Sequence, residues 1–257
     1  MITSFSKYQA TGNDFILIDN RENFFAKKDS KKIAEMCHRR FGIGADGLIL
    51  LENHDSLDFK MVYFNSDGRE SSMCGNGGRS VVHFAQYLKL IKDKAVFEAI
   101  DGVHQAFIEN NLVKLEMANV DKIEDKNNAV FLNTGSPHHV EFIDNLKDFN
   151  VVEKGRKLRY ETYGNAGSNI NFAEQIDEDS FFVRTYERGV EDETYSCGTG
   201  VTAVALAAFY KGKTRSKNLT IKTPGGVLKI YFELAGSGFQ NIFLEGLAVR
   251  VFNGTFG

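Results

Sequence analysis

The chain of 257 residues has only three cysteines, Cys37, Cys74 and Cys197, an odd and widely spaced set with no C-x-x-C pair. That spacing argues against a disulfide framework and against structural zinc, and fits a reducing compartment. Also missing is any block of one charge sign, because 31 Lys and Arg against 34 Asp and Glu leave a formal charge of -3. Without a basic cluster there is no electrostatic footprint for nucleic acid or a membrane, and a small molecule is the expected partner. No apolar run approaches the roughly 20 residues that span a bilayer. Met1 to Ser6 lacks the basic-then-apolar order of a leader, so the cytoplasm is the expected location. No polar or repetitive tract is long enough to resist folding, and 42% of the residues are hydrophobic.

What is present is written twice. At an offset of 123 residues, Phe59 to Tyr87 align without a gap on Phe182 to Tyr210, with nine of 29 positions identical, among them Glu70/Glu193, Cys74/Cys197, Gly75/Gly198 and Gly77/Gly200. The same offset pairs Thr11-Gly12 with Thr134-Gly135, and Gly102-Val103 recurs as Gly226-Val227. A period near half the length means two copies of one domain, because solenoid arrays need three or more short units.

Short β-rich runs between turn residues predict strands at Phe15 to Ile18, Leu48 to Leu51, Phe59 to Phe64, Val103 to Ile108 and Leu112 to Met117 in the first copy. In the second copy they fall at His139 to Ile143, Ile170 to Ala173, Phe181 to Tyr186, Leu219 to Lys222, Val227 to Phe232 and Ile242 to Leu244. An amphipathic helix is predicted from Ser30 to Phe41, capped by Ser30 and ended by Gly42. Two more, Gly75 to Leu90 and Gly198 to Lys211, each begin right after a cysteine, and the second is apolar nearly all round, as a core helix is. The expected fold class is α+β: two pseudo-symmetric duplicated domains, each a curved, mostly antiparallel, barrel-like sheet wrapped around a central helix. The active site is expected in the cleft between them.

A cysteine opening a buried helix faces backbone N–H groups that the helix cannot satisfy, and the partial positive charge there favours thiolate over thiol. Flanking glycines let a ligand approach the backbone. Two such cysteines in equivalent places suit inversion of a stereocentre, where a base removes a proton from one face and an acid returns one to the other. A lone cysteine is usually a buried small hydrophobe, and Cys37 reads that way. Two features tempt toward other functions. Gly42 to Gly47 spells G-x-G-x-x-G but follows a helix and opens a strand, the reverse of a dinucleotide fingerprint, so it reads as a tight turn. Gly75 to Ser80 lacks the Lys-Ser/Thr ending of a P-loop and reads as a carboxylate cradle. A cysteine hydrolase using His138 or His139 is the alternative enzyme class, and it leaves one of two equivalent cysteines idle. A pure binding module is a further alternative that explains neither thiol.

Several stretches together resemble diaminopimelate epimerase over nearly the whole length. They are Gly12 to Phe15, Gly42 to Gly47, Asn65 to Gly68, Met73 to Arg79, Pro137-His138, Asn169 to Phe172, Glu187 to Gly189 and Ser196 to Gly200. Related two-cysteine proline and hydroxyproline racemases typically read C-G-H-G where Asn76 stands here, and they form the alternative within this chemistry. The resemblance implies that Cys74 and Cys197 exchange the α-proton between L,L- and meso-diaminopimelate, with no cofactor and no metal, in lysine and peptidoglycan precursor synthesis. It implies backbone N–H groups of Gly75, Asn76, Gly198 and Thr199 on the reacting carboxylate, and substrate recognition by Asn13, Asn65, Asn169, Glu187 and Arg188. Ser136 stands where many members have Asn and is kept as a contact, whereas Gly47, where some have Gln, is not. The family also returns its last strand to the first domain, giving domains 1–118 plus 244–257 and 119–243. The oligomeric state stays open, with a homodimer among the options.

Overall fold

The computed structural model describes residues 2–126 and 128–257. The chain divides into two compact units, Met1–Leu115 with Gly246–Gly257, and Glu116–Glu245. In the first unit the elements run β1 (Thr3–Ala10), β2 (Asn13–Asp19), α1 (Ser30–Cys37), β3 (Gly47–Glu52), β4 (Phe59–Asn65), α2 (Gly75–Tyr87), β5 (Lys94–Ala99), β6 (Gly102–Glu109) and β7 (Leu112–Met117). The C-terminal strand, Val249–Phe256, joins this unit by pairing antiparallel to β1. From there the ladder runs antiparallel to β2, parallel to β3, antiparallel to β4, parallel to β5, then antiparallel through β6 to β7. Each parallel step needs a crossover, and α1 and α2 supply them.

α2 fills the hollow of this curled sheet, packing on β1, β2, β3, β4 and β6. Its glycines serve this packing more than ligand approach. A β-carbon on Gly77 would meet Ile49 and Met61, and one on Gly78 would meet Leu115 and Met73. The other face of the sheet carries α1, whose Ile33, Met36 and Cys37 pack on Ile16, Ile18, Leu48 and Leu50. Strands covered on both faces lose the polar half of their alternation, so β3 is buried throughout. α1 is shorter than its sequence pattern suggests. Asp29, not Ser30, caps it by accepting from Lys32 N, the helix stops at Cys37, and Phe41 is 81% exposed. His38 breaks the helix because its ring Nδ1 takes the backbone N–H groups of Arg40 and Phe41.

The second unit contains β8 (Ile123–Lys126), β9 (Ala129–Asn133), β10 (Pro137–Phe142), α3 (Val151–Glu161), β11 (Asn169–Asp177), β12 (Ser180–Glu187), β13 (Asp192–Thr194), α4 (Gly198–Tyr210), β14 (Asn218–Thr223), β15 (Gly226–Ala235) and β16 (Gly238–Leu247). Its ladder repeats the first one step by step: antiparallel β8, β9 and β10, parallel to β11, antiparallel to β12, parallel to β14, antiparallel through β15 to β16. α3 takes the place of α1 and α4 that of α2, so α4 is buried nearly all round. Among the described residues no ladder pairs β7 with the C-terminal strand or β8 with β16, so neither unit's sheet closes on itself. No helix among the described residues is long and apolar enough to cross a membrane.

Candidate active site

In the first unit the site grows from a tight turn. Thr11 (φ 48°) and Gly12 (φ 83°) both have positive φ, the geometry of a two-residue hairpin between β1 and β2. The turn presents the Thr11 hydroxyl to the Asn76 side chain at 3.3 Å and places Asn13 at the head of β2. Cys74 occupies the N-cap of α2 in an extended conformation, and its side chain makes no cap hydrogen bond to the helix. That sulfur lies 3.6 Å from Asn13 Oδ1, which also accepts from Asn76 Nδ2 at 3.3 Å. Asn13, Cys74, Gly75 and Asn76 are thus brought together. Asn65 sits at the exposed end of β4, opposite Gly47 in the β3 ladder, where a turn to Gly68 begins.

Two charged groups brace these amides. Asp46 Oδ2 accepts from Asn13 Nδ2 at 2.6 Å and from the backbone of Asp14, while its other oxygen takes Arg39 Nη2 at 2.6 Å. Asp14 in turn pairs with Lys7 and Arg39, and Lys7 also reaches the Gly44 carbonyl. Burial pushes the Asp14 carboxyl upward, but hydrogen bonds from Arg39 and Lys7 outweigh it and hold the group at about 2. From the helix side, fully buried Arg79 donates Nη2 to Thr11 Oγ1 at 3.1 Å and to Asn76 Oδ1 at 2.9 Å, and among the described residues no acceptor reaches its Nε or Nη1. Burial lowers Arg79 to about 10, and the field of Cys74 opposes that shift.

The second unit repeats the plan with different side chains. Cys197 caps α4, again without a side-chain cap bond, and its sulfur stands 3.5 Å from Thr199 Oγ1. Thr134, the counterpart of Thr11, donates its hydroxyl to the Thr199 carbonyl at 2.8 Å, so the Thr134–Ser136 turn lies against the helix start and Ser136 takes the place of Asn13. Behind the helix, Asn171 donates to His138 Nδ1 at 3.1 Å and to the His139 carbonyl, and accepts from Thr185. Burial holds His138 down to about 3, which makes it a neutral ring. Asn169 shares the β11 face with Asn171, two residues away, and its Oδ1 takes the Arg188 backbone N–H at 2.8 Å. Arg188 also binds the Ala166 carbonyl, and Glu187 accepts from Thr194. Asn169, Glu187 and Arg188 therefore form one group at the ends of β11 and β12.

Sequence reasoning did not single out Asp46, Arg79, Thr134 or Asn171. The duplicated Thr-Gly dipeptide is the signal for Thr134 and a charge within a buried helix the signal for Arg79, whereas no such signal marks Asp46 or Asn171. Cys37 is a core residue as expected, its thiol pushed up to about 12 by burial. Among the described residues no group of three or more His, Cys, Asp or Glu is placed to hold a metal ion.

Known proteins share this layout. The phenazine biosynthesis protein of Bacillus anthracis matches with a TM-score of 0.78 at 15% identity, over 100% of this chain and 99% of its own. A hydroxyproline epimerase from Agrobacterium vitis matches with a TM-score of 0.73 at 12% identity, over 99% and 92%. At these identities the likeness is one of fold. In sequence, the diaminopimelate epimerase of Flavobacterium psychrophilum is 59% identical over 97% of this chain and 98% of its own, and that of Aquifex aeolicus is 39% identical over 97% and 96%. The diaminopimelate epimerase family model matches residues 5–123 and 130–251, spans that contain both helix-capping cysteines. By sequence, this chain belongs to the diaminopimelate epimerase family.

Proposed function

We propose that the protein interconverts L,L- and meso-diaminopimelate by a two-base proton exchange at the α-carbon, with Cys74 and Cys197 as the exchanging groups. The observation that carries this reading is the recurrence, in both units of a family member, of a cysteine at the N-cap of a buried helix, followed by the same glycines. One cysteine, as thiolate, takes the α-proton and leaves the electron pair on carbon. The other gives its proton to the opposite face and becomes the thiolate. The carbanion needs donors aimed at its carboxylate, and first-turn N–H groups at Gly75, Asn76, Gly198 and Thr199 supply them. Asn13, Asn65, Ser136, Asn169, Glu187 and Arg188 bind the rest of the substrate. A molecule with an ammonium and a carboxylate at each end calls for fixed amides, one anion and one bidentate cation.

The reading places the enzyme in the cytoplasm, in lysine and peptidoglycan precursor synthesis. A homodimer is the assembly to test by light scattering. The deciding experiment for the activity is incubation of the folded, reduced protein with L,L-diaminopimelate in deuterated water. Deuterium at one α-carbon together with the meso product supports the proposal. Unlabelled substrate recovered from folded enzyme sinks it.

A further inference from the structure

The hexapeptide Gly42 to Gly47 imitates a nucleotide fingerprint, yet the group it delivers to the Cys74 site is the carboxylate of Asp46. An asparagine amide has two ends of nearly equal shape, one donating and one accepting, so Asn13 alone does not decide which end meets the sulfur. Ionised Asp46 only accepts, so at 2.6 Å it must take Nδ2–H of Asn13 and turn Oδ1 toward Cys74. The carboxylate is itself held by Arg39 Nη2 and the backbone N–H of Asp14. A second lock agrees with the first. Arg79 only donates, so its Nη2 fixes Asn76 Oδ1 and turns Asn76 Nδ2 onto Asn13 Oδ1. Both ions leave a carbonyl oxygen, an acceptor, facing Cys74 Sγ at 3.6 Å.

We propose that Asp46 is a positioning residue that acts through Asn13, holding the amide oxygen toward Cys74 and so favouring the protonated thiol, the form that returns a proton to the substrate carbon. The proposal rests on the reading of Cys74 as one of the two exchanging groups. In that step Cys197 thiolate removes the α-proton, the electron pair stays on carbon, Cys74 delivers its S–H proton to the other face, and Cys74 is left as the thiolate. Besides Asp46, the charged and titratable groups around Asn13 and the α2 N-terminus are Lys7 on β1, Asp14 on β2, Arg39 beside it, Tyr63 on β4 and Arg79 on α2. Arg79 works on the thiolate by its charge, in the opposite sense, so Cys74 is balanced between an acceptor and a cation.

The test reads the pH midpoint of iodoacetamide alkylation at Cys74 and Cys197, peptide by peptide, in the substrate-free full chain. Wild type is compared with Asn13→Ala, Asp46→Asn and the double variant. Removing one neutral hydrogen bond to the thiol should lower the Cys74 midpoint by ~0.5 to 1 unit in Asn13→Ala. Asp46→Asn should lower it by no more than that, the double variant should match Asn13→Ala, and Cys197 should stay put. If Asp46→Asn lowers the midpoint as much in the Asn13→Ala background as alone, Asp46 acts by charge through space and the proposal is overturned. Equal shifts at both cysteines, or none at Cys74, overturn it too. Should Asp46→Asn fail to fold, Asn13→Ala carries the decision, an unmoved Cys74 being fatal. No substrate is present, so this outcome and the deuterium result stand or fall separately.

Discussion

Gly77 and Gly200 hold the same position in the two copies, three residues after each cysteine, yet the same substitution should affect them differently. Alanine in place of glycine within a helix gains up to about 1 kcal/mol of propensity. At position 77 a β-carbon would lie 3.1 Å from Ile49 Cδ1 and 3.3 Å from Met61 Cε, the ends of side chains that yield by a few tenths of an ångström. Gly77→Ala should therefore stay within about 0.5 kcal/mol of wild type, because a small clash offsets the gain in propensity. At position 200 the β-carbon would overlap Asn171 Oδ1, and that amide makes buried hydrogen bonds to Thr185 (3.0 Å), His138 (3.1 Å) and His139 (2.9 Å). Each is worth roughly 0.5–1.5 kcal/mol net, so losing two or three of them against the helix gain leaves Gly200→Ala about 1–3 kcal/mol less stable. The added methyl would also stand 3.3 Å from Cys197 Sγ, and under the proposed reaction displacing that sulfur costs on the order of 10²-fold in rate. Hydrogen exchange by mass spectrometry reads the two units separately. Amides of α4 should exchange about 5- to 150-fold faster in Gly200→Ala, since 1.4 kcal/mol is a factor of ten, while those of α2 in Gly77→Ala should match wild type. An unchanged α4, or a Gly77→Ala that suffers more, would refute the packing argument.

Cys74→Ser and Cys197→Ser should each lower epimerisation by about 10²-fold or more with the circular dichroism spectrum retained, and one fully active single variant would remove that cysteine from the reaction. Cys37→Ser should keep its activity, and in the native wild type Cys37 should resist alkylation until denaturant is added, since burial pushes its thiol up to about 12. His138 should contribute to acid sensitivity. Burial depresses it from 6.5 to about 3, so between those values the unfolded chain binds a proton that the folded one does not. Stability from this group is complete above pH ~6.5 and declines as the pH falls through that window. Denaturation midpoints across the window should slope less in His138→Gln than in wild type, and equal slopes would contradict the burial argument.

The parts of the fold that were legible were those with a simple period. β3 and β12 read directly from β-rich runs, and α4 from an apolar sequence that only a core helix tolerates. α3 was not legible, although it repeats α1, because the residues it buries are Val151, Gly155 and Arg159. A β-carbon at Gly155 would overlap the Tyr186 side chain, so this helix lies on β12 through a glycine, and its stripe carries almost no hydrophobic signal. Arg159 completes the stripe by binding Glu191 and the Gly164 carbonyl. β1 and β5 were missed because Ser4, Ser6, Lys7 and Lys94 dilute their β-rich pattern. Within the site, the cysteines and the residues beside them were legible from the repeat. The braces were not, because nothing in the spacing of Asp46 or Arg79 says that they meet Asn13 and Asn76 from opposite sides.

The differences between the copies follow a chemical logic under the proposed reaction. Proton exchange treats the two cysteines alike, and both copies keep the cysteine, the glycine after it and the glycine two places further. The other three substituents of the α-carbon are unlike one another, so nothing requires the lining around each cysteine to match. The first copy surrounds Cys74 with amides fixed by ions, through Asn13, Asn76, Asp46 and Arg79. At the equivalent places the second copy has Ser136, Thr199 and, for Arg79, Thr202, whose hydroxyl turns back to the Gly198 carbonyl. Amides locked by charges offer one fixed polarity. Hydroxyls rotate, and so can donate or accept as the sulfur beside them gains or loses its proton. A duplicated scaffold thus keeps its backbone symmetry where the chemistry is symmetric, and the side chains part company where the substrate is not.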